Sequence, residues 1–398
     1  MTISHKKNIC FIFNTEGRWE LIYLDHAATT PVHDEVLNKM YKLEKEIFGN
    51  PSSIHQFGRK AKYYLDEARK YLADSIHANE KEIIFTSGGT EANNLAIIGT
   101  ALENEYNGNH IITSAQEHHA ILHIMQYLQK LGFHVTYLPV NEKGQINVSD
   151  VERTLTDQTI LVSVMTANNE TGIIQPIQEV ANLLKDHQAY FHTDAVQAYS
   201  MLDIDVKEMG IDLLTTSGHK LNAPKGIGFL YAAEHVPVRQ MQYGGLQEKM
   251  KRPGTENLIG AVGYYIAAKM AIENREINTK TYRSYKQKFL QTLTEGEIEY
   301  TINGDLDLAI PTIVNISFPG TKVDVMLTNL DLEGVAASSG SACTAGSLEP
   351  SHVLKAMYNS RSERINNSIR FSFGSANTLE NVEEAANRIV KVIKRLTE

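Results

Sequence analysis

Short apolar runs and helix-like segments alternate along the chain up to about residue 260. Most gaps between the runs carry apolar residues at helical spacing, for example at residues 91–104, 120–131 and 177–187. Strands that are almost wholly apolar and are separated by helices are typical of a mainly parallel sheet covered on both faces. We predict seven strands, at residues 82–86, 110–114, 134–140, 160–165, 190–193, 212–216 and 226–232.

The pattern changes after residue 260, where strands become shorter and fewer. The helical patterns there lie at 261–274, 323–330 and 379–396, and the strand patterns at 312–318 and 368–372. We therefore predict an α/β protein with a large domain over residues 22–260 and a smaller α+β domain over 261–398. The start of the 22–48 segment is expected to join the smaller domain. A chain of 398 residues is long enough to form two cores.

Composition limits the possible functions. With 42% hydrophobic and 21% charged residues the chain is an ordinary globular protein. The formal net charge of −9 argues against a nucleic-acid partner, which would favour a basic excess. No apolar run approaches the roughly 20 residues that span a bilayer, so no membrane association is expected. The chain has two cysteines, Cys10 and Cys343, far apart in sequence. A disulfide framework is therefore not expected, and a reducing cytoplasm is the predicted compartment.

We interpret residues 1–21 as a disordered N-terminal extension. The apolar run that follows Lys7 ends at Asn14 and is shorter than the hydrophobic region of a signal peptide. No small-residue cleavage site follows it. Cys10 lies in this extension and is assigned no role.

Candidate chemical residues come directly after the predicted strands. They are Ser87, His118, Asn169, Asp194 and Lys220. In an open parallel sheet, a ligand binds beyond the carboxyl ends of the strands. These side chains are therefore expected to lie near one another around a common ligand.

Lys220 stands in Ser-Gly-His-Lys, followed by Pro-Lys-Gly-Ile-Gly at residues 224–228. A lysine held at a strand end can form a Schiff base if its surroundings make the amine reactive, although a lone lysine is more often a solvated loop residue. Ser87-Gly88-Gly89-Thr90 precedes a helix, whose N-terminal N–H groups can bind a phosphate. A simple capping loop explains this second motif equally well.

Cys343 lies among small residues, in the run Ser-Ser-Gly-Ser-Ala-Cys-Thr-Ala-Gly-Ser at 338–347. This context is typical of an exposed loop, whereas a structural cysteine is usually buried in a packed core. A thiolate on such a loop can reach a substrate and then an acceptor protein.

The motifs around Lys220 and Cys343 resemble those of the cysteine desulfurases of the NifS/IscS type. These enzymes belong to the class V aminotransferase group of fold-type I enzymes, which depend on pyridoxal 5′-phosphate (PLP). The resemblance extends from about residue 22 to the C terminus and implies the fold-type I architecture, in agreement with the α/β sheet and the smaller domain predicted above. The residues that match the family's PLP-binding positions are Gly89, Thr90, His118, Asn169, Asp194, Gln197, Ser217, His219, Lys220 and Thr255.

The resemblance also implies individual roles. Lys220 would hold PLP and act as the base, His118 would stack on the ring and move protons, and Arg370 would bind the substrate carboxylate with Asn169 nearby. Thr255 matches a phosphate contact made across a subunit interface, which implies a homodimer. No resident metal is expected, although a Cys343 persulfide could briefly ligate an iron atom of a cluster.

Asp194 is informative independently of the resemblance. It follows an apolar strand, where an ionised carboxylate is costly to bury without a cationic partner. A protonated pyridine nitrogen is such a partner, and a protonated ring is an electron sink.

The implied reaction converts L-cysteine to L-alanine and leaves a persulfide on Cys343. The sulfur would pass to an acceptor protein, either an iron–sulfur scaffold or a tRNA 2-thiolation enzyme. Two related alternatives stay open, a selenocysteine lyase and another class V aminotransferase or lyase. A non-catalytic sulfur-relay or scaffold protein is a third, from a different functional class.

Three positions depart from the family pattern. Leu246 replaces a glycine in Gly-Gly-Leu-Gln-Glu, Ala223 precedes Pro-Lys-Gly-Ile-Gly where glycine is usual, and Ser375 occupies a position that is often arginine. None removes a catalytic group. Leu246 would disturb the rim of the active site if that position required a positive φ.

Overall fold

The computed structural model describes residues 21–340 and 350–398. The strands are β1 (Ile22–Tyr23), β2 (Ile83–Thr86), β3 (His110–Ser114), β4 (His134–Leu138), β5 (Thr159–Ser163), β6 (Tyr190–Asp194), β7 (Leu213–Thr215), β8 (Gly228–Ala232), β9 (Thr301–Ile302), β10 (Ile313–Ser317), β11 (Val335–Ala336) and β12 (Ser368–Ser372). The helices are α1 (Asp34–Glu46), α2 (Gln56–Asp74), α3 (Gly89–Glu103), α4 (His119–Lys130), α5 (Val148–Thr154), α6 (Ile177–Leu184), α7 (Leu258–Glu273), α8 (Arg275–Glu295), α9 (Val323–Leu332), α10 (His352–Tyr358), α11 (Arg364–Asn367) and α12 (Leu379–Thr397).

The predicted seven-stranded sheet is present in the order β2-β8-β7-β6-β5-β3-β4. Neighbouring strands from β7 to β4 are parallel, while β8 runs antiparallel to both β7 and β2. All residues of β3 and β5 are buried, because helices cover both faces. The prediction of an α/β fold with a mainly parallel sheet is thus confirmed.

The parallel strands bring their carboxyl ends to one edge of the sheet. Asp194 ends β6 and pairs in register with Thr215, the last residue of β7. A 3-10 turn, Gly218–Lys220, follows β7 directly. The segments after β3 and β5, which carry His118 and Asn169, leave the sheet at the same edge.

A second core forms around a three-stranded antiparallel sheet in which β10 lies between β12 and β9. Phe289, Phe318, Phe371 and Phe373 pack together in this core. The short strand β1 pairs with β11 in parallel, so the start of the described chain adds to this unit. The domain limits given above stay a prediction.

The polar segment after residue 274 forms a separate helix, α8. Its Tyr282, Phe289 and Leu293 are buried and follow one another after about two turns and one turn, which gives an otherwise polar helix one apolar stripe. Within residues 21–340 and 350–398, no helix has the length and apolar character needed to cross a membrane.

Candidate active site

Asp194 is a buried carboxylate with two neutral donors. Its Oδ2 accepts a hydrogen bond from Asn93 Nδ2 at 2.8 Å, and its Oδ1 accepts one from the Val196 N–H at 3.0 Å. Only 6% of the residue is exposed. Neutral donors orient the carboxylate but do not cancel its charge. The site therefore suits a cationic ring nitrogen, which is the group that PLP would place there.

Asn93 was missed by the sequence analysis. It lies in the first turns of α3, is 1% exposed and holds the carboxylate of Asp194 in place. An asparagine within an otherwise apolar helix is the signal that could have revealed it, because a buried amide side chain needs hydrogen-bond partners.

The turn between β2 and α3 has the shape of an anion site. Gly88, the N-cap of α3, has a φ of 148°, which favours glycine, and it supplies no capping side chain to the first turn. A Cβ atom on Gly88 would lie 3.5 Å from Ser217 Oγ, so the hydroxyl of Ser217 faces this turn. Gly89 and Thr90 are the first residues of α3. The uncapped N–H groups and the hydroxyl together fit a phosphate.

Lys220 is tied to the segment that follows β1. Its Nζ donates to the Ala27 carbonyl at 2.5 Å and to the Ala28 carbonyl at 2.7 Å. Gln197 Nε2 donates to the same Ala27 carbonyl at 3.0 Å. Gln197 and Lys220 therefore lie side by side. The predicted contact of Gln197 with PLP stays a prediction.

His118 caps the N terminus of α4. Its Nδ1 accepts from the Ala120 N–H at 3.1 Å, which places the proton of the neutral ring on Nε2. Burial lowers the pKa of His118, and the nearby Lys220 cation lowers it further, while the Asp194 charge opposes both effects. The ring is therefore neutral near pH 7 and can accept a proton.

His219 contacts the same N-terminal segment. Its Nδ1 lies 3.2 Å from Thr29 Oγ1, and its carbonyl accepts from the Thr30 N–H at 2.8 Å. Burial is the main cause that lowers the pKa of His219 to about 4. A neutral His219 would act on a phosphate as a hydrogen-bond donor. This contact stays a prediction.

Arg370 is buried in β12 and has one free edge in the described part of the chain. Its Nη2 donates to Asp25 Oδ1 at 2.7 Å, and its Nη1 donates to the Asn169 carbonyl at 3.0 Å. The buried Nε has no hydrogen-bond partner among the described residues. An arginine held by one carboxylate, with an N–H left over, is suited to a second carboxylate, such as that of an amino acid. Asp25 was missed by the sequence analysis.

A cavity of about 720 Å³ opens next to these groups. Thr90, His118, Pro350 and His352 are among the residues that line it. Pro350 is the first described residue after the segment that contains Cys343. Cys343 itself lies outside the described residues, so its predicted role is considered below as a proposal.

The comparisons with known proteins agree with this geometry. The family model of class-V aminotransferases matches residues 22–384. The Bacillus subtilis (strain 168) protein named "Putative cysteine desulfurase IscS 1" is 53% identical over 378 residues, which cover 95% of this chain and 100% of that protein. The chain belongs to the cysteine desulfurases of the class-V aminotransferase family.

Solved structures of similar proteins support the same family and fold. The structure titled "NIFS-LIKE PROTEIN" is 32% identical with a TM-score of 0.88 and covers 94% of this chain and 100% of its own. The structure titled "SspA in complex with cysteine" is 36% identical with a TM-score of 0.79 and covers 88% of this chain and 98% of its own. Enzymes of this family depend on PLP, so the predicted family, fold type and cofactor are confirmed.

The departures from the desulfurase pattern are accommodated without strain. Leu246 has a φ of −89° and is 79% exposed, so its position does not require glycine. Ala223 is fully buried, and its backbone does not have a positive φ. Ser375 is exposed at the edge of a second cavity that Lys220 also lines.

Thr255, which the resemblance places at a subunit interface, is exposed in the loop before α7.

Proposed function

We propose that the protein is a PLP-dependent cysteine desulfurase that converts L-cysteine to L-alanine and leaves a persulfide on Cys343. One observation carries the proposal. The Lys220 amine, the Asp194 carboxylate and the His118 imidazole share one end of the sheet, where the charges of Asp194 and Lys220 both act on His118. An amine, a buried carboxylate and a neutral imidazole suit PLP chemistry on an amino acid.

Two parts of the site would hold the cofactor, one at its phosphate and one at its ring nitrogen. Gly89, Thr90 and Ser217 surround the anion site at the start of α3, and Asp194 supplies the carboxylate for the ring nitrogen. Lys220 would form the covalent link. When bound, PLP supplies an electron sink that stabilises negative charge at the substrate Cα.

The chain's own residues then bind and orient the substrate and move its protons. The free edge of Arg370 binds the carboxylate of L-cysteine and so directs its Cα towards Lys220. Lys220 takes the Cα proton. His118, neutral and with its proton on Nε2, holds or supplies a proton at the substrate thiol.

Cys343 completes the sulfur transfer. Its thiolate attacks the substrate sulfur, so that a sulfur–sulfur bond forms and the substrate Cβ–S bond breaks. The electron pair of the broken bond stays with carbon, which is protonated to give the methyl group of L-alanine. The sulfane sulfur stays on Cys343, and the numbers of atoms and electrons balance without a further oxidant.

The partners and the location are also proposals. A homodimer would let Thr255 reach the site of a second subunit, and its exposure in the loop before α7 supports this. An iron–sulfur scaffold or a tRNA 2-thiolation enzyme would accept the sulfur from Cys343, and a single desulfurase can serve both. The small number of cysteines favours a reducing cytoplasm.

The proposal is tested by alanine formation from L-cysteine in the presence of a reductant. Wild type, Cys343→Ala and Lys220→Ala are compared, with Cys10→Ser as the control for loss of a thiol outside the residues that the family model matches. We expect Cys343→Ala to keep the absorbance of bound PLP and to lose turnover, and Lys220→Ala to lose both turnover and the absorbance of the lysine-linked cofactor. Full activity of Cys343→Ala would exclude the persulfide mechanism and favour a lyase or aminotransferase.

A further inference from the structure

Asn168 is a buried amide that the reaction proposed above does not use. It follows β5 and is 0% exposed. Its Oδ1 accepts hydrogen bonds from the N–H groups of Glu170 and Thr171 at 2.8 and 3.0 Å. Its backbone N–H donates to the Ile173 carbonyl at 2.9 Å. Asn168 therefore closes the turn that contains Asn169.

The other end of the same amide reaches a different segment of the chain. Its Nδ2 donates to the Gln116 carbonyl at 3.0 Å. Gln116 comes two residues before His118, in the segment that follows β3. Because β3 and β5 are parallel neighbours, the two segments leave the sheet side by side. The side chain of Asn168 thus joins the segment that carries His118 to the turn that carries Asn169.

The turn is also bound to the smaller sheet. Arg370 Nη1 donates to the Asn169 carbonyl at 3.0 Å, and Asn315 Nδ2 donates to the Glu170 carbonyl at 3.2 Å. Arg370 lies in β12 and Asn315 lies opposite it in β10. A continuous series of hydrogen bonds therefore runs from the segment after β3, through Asn168 and its turn, to the arginine.

Glu117 also connects the segments after β3 and β5. Its Oε1 accepts from the Met165 N–H at 2.9 Å. Met165 comes before the turn, whereas Asn168 is its first residue. The bond from Glu117 therefore holds the end of β5 in place, and the bond from Asn168 acts directly on the turn.

We propose that Asn168 is a positioning residue that fixes its turn against the segment after β3 and so sets the distance between the His118 imidazole and the Arg370 guanidinium. This inference rests on the proposed function, because both groups have their roles in that reaction. Asn168 is assigned no contact with the cofactor or the substrate. It acts through the Gln116 carbonyl at one end and through its own turn at the other.

Asn168→Asp tests the link with little change of shape. The new side chain keeps the oxygen that closes the turn, but it replaces the amide that donates to the Gln116 carbonyl with an acceptor. Misplacing a reacting group by a small distance costs orders of magnitude in rate, so kcat for alanine formation with excess PLP should fall about tenfold. KM for L-cysteine should change less than about threefold, because Asp25 still holds Arg370. Wild-type kcat, or a loss confined to KM, would overturn the proposal.

Thr171→Val separates the link from the fold of the turn. Thr171 Oγ1 donates to Asn168 Oδ1 at 3.2 Å, so valine removes a hydrogen bond within the turn and leaves the bond to Gln116 in place. This variant should keep kcat within about twofold of wild type, because the imidazole stays where the link holds it. Equal losses in Thr171→Val and Asn168→Asp would show that the fold of the turn, and not the link, is what matters.

Asn104 offers a matched control. It is 1% exposed, and its Nδ2 donates to the Thr100 carbonyl at 2.7 Å. It follows α3, about 20 Å from the anion site at the start of that helix. Asn104→Asp should therefore lower Tm but keep the wild-type kcat, and a tenfold loss of kcat would assign the effect to general destabilisation.

Asn168→Ser decides the question where Asn168→Asp does not fold. A serine hydroxyl can still close the turn, because serine forms the same kind of local bond as asparagine, but it is too short to reach the Gln116 carbonyl. Asn168→Ser should show the same loss of kcat with an almost unchanged KM. Wild-type kcat in this variant would refute the role given to the link.

Titration of the apoprotein with PLP tests the link without turnover. His118 and Asn169 both match cofactor-binding positions, so a shift of one relative to the other should weaken PLP binding about tenfold in Asn168→Asp. Asn104→Asp should bind PLP as wild type does, and equal PLP affinity in the two variants would contradict the proposal. If wild type formed no alanine from L-cysteine but PLP binding still weakened in Asn168→Asp alone, the proposed function would fail while the positioning role would stand.

Discussion

Removal of the Asp25 carboxylate should weaken both the fold and substrate binding. The side chain of Arg370 is 3% exposed and that of Asp25 is 19% exposed, and their 2.7 Å ion pair joins residues 345 positions apart. Breaking a buried pair by removing one partner leaves an uncompensated charge and costs about 3–5 kcal/mol. We expect Asp25→Ala to lower the free energy of unfolding by about 3 kcal/mol, because part of the Asp25 carboxylate is exposed and the guanidinium keeps its bond to the Asn169 carbonyl.

A matched control lies on the surface. Arg275 Nη1 bonds Asp203 Oδ1 at 2.6 Å, but the Asp203 side chain is 86% exposed. Exposed pairs contribute about 0–1 kcal/mol, so Asp203→Ala should change the free energy of unfolding by less than about 1 kcal/mol. The two variants are compared by equilibrium unfolding in urea, with the protein loaded with PLP.

The same variants show whether the pair also serves substrate binding. Asp25 and the Asn169 carbonyl hold the guanidinium of Arg370 so that its Nε edge is left for a carboxylate. Loss of one charged hydrogen bond corresponds to about 1.5–3 kcal/mol, so we expect KM for L-cysteine to rise at least about tenfold in Asp25→Ala. Asp25→Asn, which keeps an oxygen acceptor, should lie between Asp25→Ala and wild type. The reasoning is refuted if Asp25→Ala matches Asp203→Ala in stability and wild type in KM.

Two further predictions concern buried polar groups near the site. Burial raises the pKa of Glu117 from 4.5 to about 8, so between these values the folded chain holds a proton that the unfolded chain has released, and stability falls as pH rises through this window. Glu117→Gln should remove this contribution, so that its Tm relative to wild type increases from pH 5 to pH 8; a constant difference would contradict the assignment. Asn93→Ala should weaken PLP binding about tenfold or more, because the charged carboxylate of Asp194 loses the hydrogen bond that Asn93 donates to it. Absorbance titration of the apoprotein measures this loss, the exposed Asn274→Ala serves as the control, and equal PLP affinity in the two variants would contradict the role given to Asn93.

The strands and the candidate residues that follow them could be predicted from the sequence, because both depend on local patterns. Apolar runs and their spacing predicted β3 with its observed limits and the other sheet strands to within two residues at each end. Lys220 and Asp194 were found because a parallel sheet places ligands beyond its carboxyl ends, so position along the chain implies position in space. The polar helix α8 has no counterpart among the predicted helical patterns, since three buried apolar side chains among many polar and charged ones leave a weak pattern.

The supporting contacts depend on which distant segments meet, and periodicity carries no information about that. Asp25 binds Arg370 across nearly the whole chain, Asn93 reaches Asp194 from another helix, and Glu170 lies against Gly340 and Ser351. In the sequence, Asp25 and Glu170 look like ordinary surface carboxylates, because acidic residues are usually exposed. Folding buries Glu170 and partly buries Asp25, and the cost of leaving a buried polar group unpaired holds each carboxylate to its partner. Local chemistry therefore located the reacting groups, whereas long-range packing supplied the side chains that hold them in place.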